Sequence, residues 1–202
     1  MITFDLESLI WHNFEHEPTF EQRNVIKKWC EFLLSREDNG VFVLCGYAGT
    51  GKTTLIRTFV KYLDEHHMAY RLLASTGRAA KIMANVVEAD ACTIHSMIYA
   101  FNDFNQDLEE IDTQRNETGF DSTGQLFLNF SLKEIIRFSD TPIFYIVDES
   151  SMISDVEDKN ATQAQFGSGR LLNDLLTYDK LARIVFVGDP CQLPPVTQPE
   201  SP

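Results

Sequence analysis

Residues 46 to 53 read GYAGTGKT, and they follow VFVLC, a continuous apolar run over residues 41 to 45 bounded by Asn39-Gly40 before and Gly46 after. A short apolar run of this kind reads as a strand of a parallel sheet, buried on both faces. The glycine-rich octet satisfies G-x-x-x-x-G-K-[ST], and it lies between that strand and a helical stretch from about Gly51 to His66. Glycines at 46, 49 and 51 let the backbone curl so that its N–H groups point at a phosphate, and the helix N-terminus adds partial positive charge. Lys52 is placed to reach the β- and γ-phosphates of a nucleotide, and Thr53 a Mg²⁺ ion. The candidate nucleotide-binding residues are therefore Gly46, Ala48, Gly49, Thr50, Gly51, Lys52, Thr53 and Thr54. The bland alternative is a glycine-rich turn that merely starts a helix.

Three further runs have the same strand character: YRLLA (70 to 74), IFYIV (143 to 147) and RIVFV (183 to 187). Helical stretches separate them, which predicts an α/β fold with crossover connections. Upstream, Phe20, Val25, Ile26, Trp29, Phe32 and Leu33 recur at spacings of three and four, so residues 19 to 34 form an amphipathic helix capped by Thr19. Asp148 and Glu149 end the run IFYIV. In an open parallel sheet ligands bind at the carboxyl ends of strands, where this pair suits a Mg²⁺ ligand followed by a water-activating base. An acidic cap on the next helix is the competing use.

A chain of 202 residues that is 44% hydrophobic and 23% charged can bury an ordinary core, so disordered and fibrous classes are excluded. The formal charge of −13 argues against a surface that binds polyanions all over. Charge is nevertheless uneven. Between Thr50 and Ile82 six basic residues (Lys52, Arg57, Lys61, Arg71, Arg78, Lys81) oppose Asp64 and Glu65 alone. Cys30, Cys45, Cys92 and Cys191 show no metal or redox spacing and are read as reduced thiols. With an acidic N-terminus and no run near ~20 apolar residues, the chain is expected to be soluble, cytoplasmic and independent of membranes.

Two stretches break the α/β pattern. Residues 101 to 125 carry seven acidic residues against Arg115 and read as a solvated insertion, followed by a hairpin strand LFLNF at 126 to 130. Residues 154 to 169 lack an apolar period and read as a mobile loop before a helix, RLLNDLLTY. Five of the seven prolines lie in residues 190 to 202, which predicts an extended end.

The order of motifs resembles the first motor domain of superfamily 1 helicases of the RecD and Dda type. GYAGTGKT is similar to motif I, LLASTGRAAK (72 to 81) to motif Ia, TIHSMI (93 to 98) to the motif after it, VDESSMI (147 to 153) to motif II and VGDPCQLPPV (187 to 196) to motif III. PTFEQRNVI (18 to 26) resembles the Q motif. The resemblance implies a P-loop NTPase with a RecA-like parallel sheet flanked by helices, using ATP and Mg²⁺. It implies that Gln22 reads the adenine edge, that Asp148 and Thr53 hold Mg²⁺, that Glu149 orients the attacking water with Lys52 as catalytic partner, and that Gln192 senses the γ-phosphate. Thr76, Gly77, Arg78, Thr93 and His95 fall where family members line single-stranded DNA. Thr76-Gly77 also opens a helix bearing Arg78 and Lys81, so N–H groups and cations converge there. Gln192 serves equally as a polar turn residue, and His95 as a buried, satisfied histidine.

Under this reading residues 1–40 are an N-terminal helical segment with the Q-like motif, 41–196 the motor domain with insertions at about 101–125 and 154–169, and 197–202 an extended tail. The implied partners are single-stranded DNA and a second RecA-like domain of the same polypeptide, which supplies arginine fingers to a monomeric motor that moves 5′ to 3′. Two other classes compete. A small-molecule kinase would want a substrate pocket and an arginine-bearing lid, and the Asp-Glu pair followed by GDPCQ disfavours it. A nucleotide switch without unwinding activity is the other.

Overall fold

In the computed structural model, which describes residues 2–14, 17–35, 40–101, 128–137, 141–157, 164–189 and 191–192, the four apolar runs become strands of one sheet. They are β1 (Val41–Cys45), β2 (Tyr70–Ala74), β6 (Phe144–Asp148) and β8 (Arg183–Gly188). A short strand unmarked in the sequence, β3 (Ala91–Thr93), joins them in the order β1-β8-β6-β2-β3, parallel throughout. With helices on both faces, this is the expected P-loop NTPase, RecA-like architecture. The connection from β1 to β2 runs through α3 (Lys52–Glu65), and that from β2 to β3 through α4 (Gly77–Val87). The connection from β6 to β8 runs the opposite way along the sheet and carries α6 (Leu171–Tyr178). Right-handed crossovers therefore put α3 and α4 on one face and α6 on the other.

Strand periodicity divides the core accordingly. Leu44, Leu72, Phe144, Ile146, Val185 and Val187 face α3, α4 and two N-terminal helices, α1 (Ile2–His12) and α2 (Phe20–Leu34). Leu73, Tyr145, Val147, Ile184 and Phe186 face α5 (Ile94–Ile98) and α6. The expected cap of α2 is present as a capping box: Gln22 N–H donates to Thr19 Oγ1 at 3.3 Å, and Thr19 N–H to Gln22 Oε1 at 2.9 Å. At the other end of α2, the buried Arg183 donates to the carbonyls of Phe32 and Leu33, and its guanidinium lies 4.1 Å above the Phe32 ring. Those carbonyls lack helical partners, so a cation there satisfies both hydrogen bonding and the helix dipole.

One expectation about the sheet is corrected. VFVLC is not buried on both faces: Val41 and Val43 are 47% and 61% exposed, and only Leu44 is buried. The reason is position, because β1 is an edge strand whose first face meets α2 while its second remains open.

A second, three-stranded sheet lies beside the first, in the order β4-β5-β7: β4 (Tyr99–Phe101), β5 (Leu128–Leu132) and β7 (Ala164–Phe166). The expected hairpin strand is present over its described residues and runs two residues further, to Leu132, with Phe130 stacked on Phe166 at 4.5 Å and edge-on to Phe101 at 5.5 Å. The expected loop over 154 to 169 is likewise corrected at its end, where 164–166 pair in parallel with 128–130. A three-residue strand with one large apolar side chain has no period to detect. Most of the 101–125 insertion, and the tail at 197–202, lie outside the described residues.

Asp174 of α6 locks this small sheet to the domain. It is buried, and its carboxylate accepts from Tyr99 OH at 2.7 Å, Ser168 N–H at 2.9 Å and Ser168 Oγ at 2.6 Å. Burial and the Asp174 carboxylate together push the Tyr99 phenol far above its ordinary range. Among the described residues no helix is long and apolar enough to cross a membrane.

Phe59 of α3 is fully buried, stacked on Trp29 at 4.5 Å and edge-on to Phe144 at 5.9 Å. Phe59→Ala should cost about 3–5 kcal/mol, read as a lower urea midpoint at unchanged slope.

Candidate functional site

All five strands of the main sheet point the same way, so everything that leaves their carboxyl ends gathers on one edge. Cys45 pairs with Gly188, and Ala74 pairs with both Asp148 and Thr93. Across that edge the order is therefore the loop after β1, then Asp189 to Gln192 after β8, Asp148 and Glu149 after β6, Thr76 to Arg78 after β2, and Thr93 to His95 after β3. Segments far apart in sequence become neighbours because β8 and β6 insert between β1 and β2.

The loop after β1 is built as a cradle. Gly46 N–H donates to Gly188 O at 3.1 Å, fixing the loop to β8. Gly49 and Gly51 have φ of 77° and 82°, the left-handed region where an L side chain is strained. Thr50 Oγ1 donates to Tyr47 O at 2.8 Å, and a Cβ on Gly46 would lie 2.8 Å from that hydroxyl. The Lys52 ammonium folds into the concavity and donates to Gly46 O at 2.6 Å and Tyr47 O at 2.9 Å. Gly51 caps α3 without a side chain, so no cap side chain competes for the N–H groups of the first turn, which carries Lys52, Thr53 and Thr54. These are the properties of an anion site, with donors converging at a helix N-terminus beside a mobile cation.

Gln22 reaches this cradle from α2. Its Nε2 donates to Thr50 O at 3.5 Å and stands 2.5 Å from where a Cβ on Gly51 would lie, so a side chain there would displace the Gln22 amide from the loop. The capping box that starts α2 is thus also what holds Gln22 against the loop.

Asp148 ends β6 between β2 and β8. Burial raises the pKa of its carboxyl, while the Glu149 N–H at 3.0 Å and the Lys52 charge act in the opposite direction. A carboxylate desolvated this way, close enough to Lys52 to feel its charge, is chemically suited to a divalent cation; Thr53 lies in the first turn of α3, next in sequence to that lysine. Glu149 is left-handed at φ 51°, unusual for a non-glycine residue, and this turns the chain off the strand into a 3₁₀ turn, Ser150–Met152. From that turn Ser151 Oγ donates to Gln192 Oε1 at 3.5 Å. Gln192 is held in place by its own N–H to Asp189 O at 3.1 Å, and the buried Asp189 also accepts from Cys191 N–H at 2.9 Å.

The sequence reading missed Asp189 and Ser151 as parts of this edge. Asp189 was recoverable, since an aspartate directly after a buried strand and just before a proline is a turn former whose side chain caps the backbone two residues on. Ser151 carried no such signal.

The residues expected to line nucleic acid separate into two groups. Thr76, Gly77 and Arg78 are exposed at the start of α4, and a Cβ on Gly77 would meet nothing within 4 Å. Thr76 and Thr93 use their hydroxyls as N-caps, accepting from Ala79 N–H at 3.2 Å and Ser96 N–H at 3.1 Å. His95 is placed differently. Its ring packs edge-on to Phe166 at 5.0 Å and tilted against Tyr99 at 5.6 Å, and burial lowers its pKa. The environment is that of a packed histidine in an aromatic cluster. Arg57 is turned away from the cradle and pairs with Glu88 at 2.8 Å.

Comparison with known proteins agrees on the class of domain. The AAA domain family matches residues 33–198. An uncharacterized protein of Methanocaldococcus jannaschii is 33% identical over 190 residues, covering 91% of this chain and 13% of that protein. An uncharacterized protein of Acanthamoeba polyphaga mimivirus is 27% identical over 192 residues, covering 90% of this chain and 34% of that protein. The chain therefore spans between about an eighth and a third of the curated relatives it matches. The crystal structure of Pif1 helicase from Candida albicans aligns with 90% of this chain and 34% of its own, at 20% identity and a TM-score of 0.44.

If the cradle holds nucleotide phosphates through Lys52, then Mg²⁺ with ATP or ADP at 100 times Kd should stabilise the chain by about 2.7 kcal/mol. In Lys52→Ala that thermal shift should vanish while the melting temperature without nucleotide stays near the unmodified value, as measured by differential scanning fluorimetry.

Proposed function

Because this chain belongs to the AAA domain family, we propose that it is the ATP-binding motor domain of an ATP-dependent superfamily 1 DNA helicase that moves along single-stranded DNA. The observation that carries the reading is the order of motifs on one sheet edge. The phosphate cradle, the Asp148-Glu149 pair and Gln192 lie side by side on β1, β6 and β8, and the exposed start of α4 follows directly on β2. A small-molecule kinase has no use for that adjacency. The motif resemblance to RecD and Dda implies the polarity, 5′ to 3′; the cytoplasmic setting is inferred from four cysteines without metal or redox spacing, read as reduced thiols.

The division of labour follows from the chemistry of each group. The N–H groups of residues 46 to 54 and the Lys52 ammonium bind the phosphates, and Gln22, whose amide meets Thr19 N–H and Thr50 O in this structure, would turn from the loop to the adenine edge. Thr53 and Asp148 hold Mg²⁺, whose charge offsets that of the phosphates when bound. Glu149 is set off the strand by its left-handed backbone, accepts a proton from the attacking water and aligns it. Gln192 stands next to that carboxylate's turn, and its role on this reading is to sense the terminal phosphate. Thr76, Gly77, Arg78 and Thr93 meet the nucleic-acid backbone through N–H groups and one guanidinium. So few phosphates are neutralised that binding by this chain should be weak and only mildly salt-dependent. A second RecA-like domain of the same monomeric polypeptide completes the strand path and supplies arginine fingers, each worth ~10³ to 10⁵ in rate.

Glu149→Gln keeps the shape of the side chain and removes the base. Affinity for a fluorescent ATP analogue with Mg²⁺ should stay within about 2-fold, while phosphate release with oligo(dT) present should fall by ~10² to 10⁴. Phosphate release at the unmodified rate would assign the water to another residue and sink the hydrolytic reading of this edge.

A further inference from the structure

The 3₁₀ turn Ser150–Met152 sits between the nucleotide side of the sheet edge and the nucleic-acid side, and it touches both. On one flank Ser151, 5% exposed, donates its hydroxyl to Gln192 Oε1 at 3.5 Å. The same flank presses on β8, where a Cβ on Gly188 would lie 2.9 Å from Ser150 Oγ and 3.5 Å from Ser151 N. On the other flank Ser75 Oγ donates to Met152 Sδ at 3.9 Å. Ser75 directly precedes Thr76, the N-cap of α4, and the register Ala74 to Asp148 sets the two chain segments side by side as they leave the sheet.

The turn is stiff enough to transmit displacement. Met152 N–H donates to Glu149 O and Ile153 N–H to Ser150 O, both at 3.1 Å. Ile153 is 1% exposed in the second core, so the far end of the turn is anchored, while its near end is the left-handed Glu149. The two hydrogen bonds close the turn and the buried Ile153 fixes its far end, so the flank at Gln192 and the flank at Ser75 are joined by three consecutive residues.

We infer that Ser151 and Met152 are positioning residues that couple the nucleotide site to the start of α4, the turn acting as a lever between Gln192 and Ser75. A shift of Gln192 toward or away from a terminal phosphate pulls on the Ser151 hydroxyl, and the rigid turn passes that motion through the Met152 thioether to Ser75 and the cap of α4. The coupling runs in both directions, since a free-energy linkage between two sites is reciprocal. Met152 is suited to this work because it is 45% exposed and its long, unbranched side chain keeps contact over a range of positions. The inference rests on the motor reading above, in which one flank of the edge binds nucleotide and the other nucleic acid.

The test compares affinities on the complete 202-residue chain. Anisotropy of fluorescein-labelled oligo(dT) is titrated with and without a saturating non-hydrolysable ATP analogue and Mg²⁺. In the unmodified chain the analogue should change the oligo(dT) Kd by about 5-fold or more, the lower end of ordinary coupling. In Met152→Ala, with unchanged melting temperature and unchanged affinity for each ligand alone, the ratio should fall below about 2-fold, and Met152→Leu, which keeps the bulk but has no sulfur to accept from Ser75 Oγ, should not restore it. Ser151→Ala, which removes the other contact, should reduce the ratio independently. A full ratio in both Met152→Ala and Ser151→Ala, or no coupling in an unmodified chain that binds both ligands, overturns the lever while leaving the motor reading intact. An unmodified chain that binds neither ligand overturns the motor reading and the lever with it.

Discussion

β6 and β8 are buried on both faces along nearly their whole length, and that burial decides where charge can stand in this molecule. A carboxylate inside either strand would lose its hydration to a core of Ile146, Val147, Val185 and Val187 without compensation. The first tolerable position is the strand end, and Asp148, Glu149 and Asp189 occupy it. Because the sheet is parallel, both ends lie on the edge where the loop after β1 opens. Apolar strands thus concentrate three acidic residues opposite one lysine, and Asp148 is held there at the cost of a raised pKa.

The neighbouring β1 shows the same rule from the other side. Its inner face is packed through Phe42 and Leu44, while Val41 and Val43 stay exposed because no described element covers the second face. From sequence, VFVLC is indistinguishable from IFYIV, since hydrophobicity reports that a strand is apolar and not which place in the sheet it takes. Strand order is set by pairings between segments distant in sequence, such as Val41 with Ile184 and Tyr70 with Phe144. Nothing local encodes that.

What was legible had a local cause. The cradle could be read because its glycines, lysine and threonine each answer a demand of the loop itself. The cap of α2 could be read because Thr19 and Gln22 satisfy each other within one turn. The aromatic sheet could be read only in part: Phe130 ends the apolar run LFLNF, but Phe166 is a lone apolar residue among polar neighbours, and nothing local joins Tyr99, Phe130 and Phe166, which come from three segments. His95 shows the consequence: a motif placed it beside nucleic acid, yet the contacts that determine its surroundings come from Phe166, on a strand the sequence did not announce. α1 and β3 escaped for a related reason, the first lacking a cap signal and the second being three residues long.

Thr76 and Thr93 add a constraint on how nucleic acid could be held. Both hydroxyls accept as caps, which fixes their oxygens while leaving each O–H proton able to turn to a phosphate; they also stiffen the two helix starts, α4 and α5, on which exposed N–H groups and Arg78 are carried. A contact surface made from backbone and caps reads no base sequence, because it addresses only the sugar-phosphate chain. Under the proposed motor reading this is the recognition required, since a motor that gained affinity at one sequence would stall there. Tight grip would also hinder a domain that must release at each step, and the formal charge of −13 argues against a surface that binds polyanions all over.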